Sequence, residues 1–188
     1  MFFVNTFYLN ISKIKSKTFK LNEKQMSFFN DCLENICEET NLLMLDNFIQ
    51  HGNTTCLWHS IAVAYYAYCF SQFFNIKCDE KSLIYGALLH DYFLYDWHIH
   101  DKSHRFHGFK HPKTALNNAL KHYYLNKREI DIIKNHMFPL TLVPPHHRES
   151  ILVNLSDKIC SSLETFNGDM YKNLKENTSL YPNKSTEN

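Results

Sequence analysis

The chain has 188 residues and a mass of 22.4 kDa, the size of one ordinary domain with little room for a second. Its 44% hydrophobic and 15% aromatic content is enough for a sizeable core and excludes a chain disordered throughout. A formal charge of +1, from 20 Lys+Arg against 19 Asp+Glu, argues against dedicated nucleic-acid binding, which needs a surplus of cations to neutralise phosphates. The unusual number is histidine, 12 in all, including His98, His100, His104 and His107 within one short stretch.

Residues 1–20 open on Met1-Phe2-Phe3-Val4 and read as an N-terminal strap, because no basic run precedes the aromatics and no small-residue cleavage site follows. No apolar run approaches the roughly 18–20 residues needed to span a bilayer, so no membrane role is expected. Residues 21–166 read as a single helical domain. From about Lys20 to Ile49, Phe28, Phe29, Cys32, Leu33, Ile36 and Cys37 recur at helical spacing. Cys56 to Phe74 gives a second helix, and Asp79 caps a third that runs to about Asp91. From Tyr92 to Lys110 the periodicity dissolves into aromatics, histidines and charges, a long loop of the kind that is usually functional.

Helix resumes at Pro112, a residue favoured at the first helical position, and runs to about Tyr124. Asn126 with Glu129 is a cap signal for a short helix ending near Met137, and His147 to about Phe166 forms the last helix. Residues 167–188, rich in Asn, Lys, Ser and Thr, read as a flexible tail. No strand alternation or internal repeat stands out, and the expected fold class is all-α. The six cysteines form no CxxC and lie mostly on apolar faces, as free buried thiols do, which points to the cytoplasm.

Four residues of metal-ligand type sit at informative places. His59 lies in the second helix, His90 and Asp91 end the third, and Asp157 lies mid-way along the last, flanked by Leu155 and Ile159. A carboxylate at such a position is costly to bury unless a cation or hydrogen bonds compensate it. Each histidine taken alone reads as well as a hydrogen-bonded core residue; the combination on three helices favours a metal.

The segments "WHSIAVAYYA", "LIYGALLHDYF" and "ILVNLSDKIC", in this order, resemble the signature segments of the HD-domain metal-dependent phosphohydrolases. The resemblance covers about residues 51–166. Two more histidines extend it: His111 opens "HPKTALNNA" and His136 ends "IIKNHM", similar to the binuclear H…HD…H…H…D subset. That subset implies a compact helical bundle holding two divalent transition metals. Asp91 would bridge them, with His59, His90 and Asp157 on one ion and His111 and His136 on the other. Imidazole and carboxylate donors suit iron or manganese best, with zinc, cobalt, nickel or magnesium as alternatives. His111 can also be read as a cap before Pro112, with His107 as the ligand.

Such a centre implies hydrolysis of a nucleotide-like phosphate mono- or diester by a hydroxide held between the ions. Asp91 would bridge the ions that hold this hydroxide, and the leaving group's proton would come from His98, His104 or His107, of which His107 is the choice. Lys110, Lys113, Arg105 and Arg148 are the candidate phosphate partners, with Lys158 beside Asp157, and Trp97 could stack on a base. The basic residues read equally well as a solvated face. Leu94 stands where some of the family carry the lysine of HDxxK. Two other functions fit the same residues: a di-iron oxygenase acting on a small polyol or phosphonate, and a non-catalytic nucleotide-binding module. The aromatic N-terminus can dock on its own core or on a second copy, which keeps a homodimer open.

Overall fold

The computed structural model describes residues 20–96, 107–166 and 171–180. Its elements in chain order are α1 (Glu23–Glu39), a 3₁₀ helix (Leu42–Asn47), β1 (Ile49–His51), β2 (Thr54–Thr55), α2 (Cys56–Phe73), α3 (Glu80–Leu89), α4 (His107–His122), α5 (Lys127–Asn135), α6 (Arg148–Phe166) and α7 (Lys172–Asn177). Among the described residues the fold is all-α apart from one two-stranded antiparallel hairpin. Among the described residues no helix is long and apolar enough to cross a membrane.

Local chemistry starts the helices. Asn22 and Gln25 form a capping box at α1, and Asn126 and Glu129 form another at α5, each satisfying two end N–H groups that no helix bond reaches. Thr55 caps α2 through the Trp58 amide, and Asp79 caps α3 through that of Ser82. The start of α6 is capped from outside: the Asp131 carboxylate on α5 accepts from the His146 and His147 amides at 2.9 and 3.0 Å and from the Ser150 hydroxyl. These bonds hold the Asp131 pKa down at about 2 against the opposing effect of burial.

Helix α2 is central and nearly all buried, with α3 and α6 packed along it and the 3₁₀ helix and hairpin against it, while α1 packs on α3. Helices α3, α5 and α6 pack in succession, and α4 lies against α5. Where α3 crosses α5, Gly86 faces Ile132, and a Cβ at residue 86 would stand 3.0 Å from the Ile132 Cβ. Gly52, at φ +55°, turns the hairpin and brings it against the end of α6, where a Cβ would lie 2.8 Å from the Glu164 carbonyl oxygen.

Several boundaries differ from those the periodicity predicts. The first helix stops at Glu39; the chain then turns through the 3₁₀ helix into β1, so the apolar spacing from Leu42 onward belongs to short, non-helical packing. Helix α4 starts at His107 and carries Pro112 inside it. Tertiary packing outweighs the missing Pro112 N–H, which leaves the Gly108 carbonyl without its usual donor. The expected tail contains α7: Tyr171 and Leu174 are buried, and Asn30 on α1 donates to the Asn177 carbonyl.

Candidate metal centre

Five helices deliver one cluster. His59 comes from the first turns of α2, His90 is the C-cap of α3 and Asp91 follows it, His111 lies in α4, His136 is the C-cap of α5, and Asp157 lies in the middle of α6. All six are buried. Two groups of side chains can each hold a metal ion, His59–His90–Asp157 and His90–Asp91–His136.

The Asp91 carboxylate lies between two sets of imidazoles. Its Oδ2 is 3.4 Å from His90 Nε2 and 3.7 Å from His59 Nε2, while Oδ1 is 3.1 Å from His111 Nε2 and 3.5 Å from His136 Nε2. Asp157 Oδ1 lies 3.2 Å from His59 Nε2 and 3.8 Å from His90 Nε2. Metal–ligand bonds of about 2.1 Å at right or tetrahedral angles put neighbouring donor atoms roughly 3.0–3.4 Å apart, close to most of these spacings.

The ring orientations favour lone pairs facing inward. His90 Nδ1 donates to the Ala87 carbonyl at 2.7 Å and His136 Nδ1 to that of Ile133 at 2.9 Å, which leaves Nε2 of each neutral ring as an acceptor. His59 Nδ1 faces the buried Glu164 carboxylate at 2.9 and 3.0 Å. Tyr171 donates its hydroxyl proton to that same carboxylate. This is the carboxylate–histidine arrangement that orients metal-binding imidazoles. Gln50 on β1 donates to Asp91 Oδ2 at 2.6 Å, and the Cys56 thiol donates to Gln50 Oε1 at 3.1 Å, so the amide is held with its NH₂ toward Asp91.

Two buried atoms here lack hydrogen-bond partners, His90 Nε2 and Asp91 Oδ1. Leaving such groups unpaired costs about 1–3 kcal/mol each. Both belong to residues that can ligate a cation, and both face the other donors; the donor set therefore fits a divalent metal. The electrostatics agree. Burial opposes ionisation of Asp91, yet attraction from His90, His111 and His136 holds its pKa well below the carboxylate range. Burial likewise opposes, and His59 and His90 outweigh it, at Asp157. Burial would lower the His59 pKa, but Asp157 and Glu164 hold it well above the ordinary imidazole value. Protons on imidazole can balance this buried negative charge, and a divalent cation displaces them when it takes the Nε2 lone pairs.

A cavity of about 740 Å³ opens over the cluster. Asp91, His111, His136 and Asp157 face it, and Met137, Pro139, Leu140, Lys158, Ser161 and Ser162 form part of its wall. Of the residues expected to bind substrate, Lys110 and Lys113 are exposed and do not line it. Arg148 starts α6, nine residues before Asp157 and so about 13 Å away along the helix. Its guanidinium donates to the Lys77 carbonyl in a separate groove and does not line this cavity. Trp97 and Arg105 lie outside the described residues, as do His98, His104 and the side chain of His107. Lys158 does reach the cavity, though its ammonium donates to the His136 carbonyl at 3.1 Å.

Gln50, Glu164 and Tyr171 are the partners that sequence reasoning missed. Glu164 carried a readable signal, since it stands seven residues, two helical turns, after Asp157 on the same buried face. Gln50 carried none, because two- and three-residue strands show no periodicity. In comparisons with protein-family models, curated proteins and solved structures, the chain matches none.

Proposed function

We propose that the chain is a metal-dependent phosphohydrolase of the HD-domain type, which cleaves a phosphate ester at a binuclear centre. The observation that carries this reading is the placement of Asp91, whose two carboxylate oxygens face different imidazole sets. His59, His90 and Asp157 would hold one ion and His111 and His136 the other, with Asp91 shared. Iron or manganese suits these nitrogen and oxygen donors. The chemistry such a pair supplies when bound is Lewis acidity toward a phosphoryl group and acidification of water.

The chain's own part is to orient and to shield. Glu164 keeps the His59 ring turned with Nε2 inward, and Ala87 and Ile133 do the same for His90 and His136 through their carbonyls. Gln50 holds Asp91 Oδ2 in place from the hairpin side. The segment after His136 is fastened to α6 by Asn154, which donates to the His136 and Phe138 carbonyls beside the cavity. Burial of the ligands keeps bulk water from competing for them.

The test begins with elemental analysis of the wild type and of His111→Ala/His136→Ala, purified without added metal or chelator. About two equivalents of metal falling to about one in the double variant supports the shared-ligand arrangement. One equivalent in both reduces the centre to a mononuclear site. Phosphate release from phenyl phosphate by the loaded wild type, lost by about three orders of magnitude or more in Asp91→Asn, completes the reading. Retained turnover in Asp91→Asn overturns it.

A further inference from the structure

The cavity wall argues for a narrower substrate class than the metal donors alone. Its apolar side is built, not incidental. Leu140 packs against α4 where Gly108 has no side chain; a Cβ at residue 108 would stand 3.0 Å from Leu140 Cδ2 and 3.9 Å from Met137 Cε. Asn154 donates to the Phe138 carbonyl at 2.8 Å and so fixes the backbone that carries Met137, Pro139 and Leu140. Leu140 keeps 46% of its surface exposed in this position, available to a ligand.

Among the described lining residues the polar side is short of free donors, His51 excepted, whose half-buried ring stands edge-on to that of His59. Lys158 is the one lysine or arginine among the described lining residues, and its ammonium already donates to the His136 and Asn154 carbonyls at 3.1 and 3.4 Å. Ser161 donates to Asp157 Oδ1 at 3.3 Å and Ser162 to the Lys158 carbonyl at 2.7 Å. Gln50 is committed to Asp91. A nucleoside di- or triphosphate brings several negative charges beyond the one at the reacting phosphoryl group and would need donors or cations beyond these described residues. A sugar brings hydroxyls that need donors and acceptors, and burying them unpaired is costly. A cavity of about 740 Å³ is within the size range that encloses a small organic ligand.

From this wall we infer that the substrate is a small phosphomonoester with a compact aliphatic or aryl body, its phosphate over Asp91 and Asp157 and its body against Met137, Pro139 and Leu140. The inference rests on the hydrolase reading and gives its substrate an apolar body.

The test separates the two. Binding of methylphosphonate, hexylphosphonate and a methylene analogue of a nucleoside triphosphate to the manganese-loaded protein is measured by calorimetry. Hexylphosphonate should bind at least about tenfold more tightly than methylphosphonate, since several methylenes leave water. Leu140→Ser, which is neutral and sits at a half-exposed position where the fold is checked by its melting temperature, should erase most of that ratio by weakening hexylphosphonate much more than methylphosphonate. Equal binding of the two phosphonates, tighter binding of the nucleotide analogue, or no binding of any of them overturns the inference. Hexylphosphonate preference without phosphate release from hexyl phosphate keeps the substrate class and sinks the reaction. Faster hydrolysis of a nucleotide than of hexyl phosphate does the reverse.

Discussion

His59 shows how one side chain is specified from both ends. Nε2 faces Asp157 and Asp91, while Nδ1 is held by Glu164, which is itself anchored by Tyr171. The sequence pattern picks out the residues that face inward, because their types and helical positions resemble a known arrangement. Their supports differ: Glu164 stands two helical turns after Asp157 on the same buried face, a signal in the spacing, whereas Gln50 on a three-residue strand looks like an ordinary polar residue until packing buries it. Removing such a support from a metal-binding histidine costs about 10–100-fold in affinity. Glu164→Leu should therefore weaken manganese binding by about that factor, as read by competition with a metal-sensitive dye. Glu164→Gln, which can still accept from Nδ1–H, should lose less. Unchanged affinity in both would show that His59 needs no partner.

At the scale of elements, α6 is placed by its start as much as by its face. Asp131 reaches from α5 to cap it and so sets the rotation that presents Asp157. The sign of its pH effect follows from the depressed pKa. The stabilisation is complete above the ordinary carboxylate value of 3.8 and is lost as pH falls through the folded value of about 2. Asp131→Asn should cost about 2 kcal/mol at pH 7 and about half that at pH 3, by urea denaturation. A penalty that does not shrink in acid would assign the loss to packing. Helices α3 and α5 were readable because Asp79 and Asn126 announce their starts. The start of α4 was not, since Pro112 imitates a first position while lying within the helix. The hairpin was hidden for a related reason: Gly52 and its docking on Glu164 depend on contacts across more than a hundred residues of chain.

Taken whole, the molecule places a polar cluster where five helices converge and an apolar core would otherwise lie. Its stability is tied to what that cluster holds. A ligand at about 100 times its dissociation constant stabilises the folded state by about 2.7 kcal/mol. For a chain of this size that corresponds to about 5–10 °C. Removing metal with a chelator should lower the melting temperature by that amount, and Asp91→Asn should show a smaller response. No shift on chelation would mean that protons alone balance the buried carboxylates.

The Tyr171–Glu164 hydrogen bond makes this coupling two-way. Thermodynamic reciprocity requires that whatever α7 contributes to metal affinity, metal occupancy returns to the docking of α7. The segment from Tyr171 to Leu180, fastened further by the Asn30 contacts to Asn177 and Ser179, thus becomes a gauge of the centre readable from the surface. Its backbone amides should exchange with solvent more slowly in the loaded protein than in the metal-free one, and a protease should find it in the reverse order.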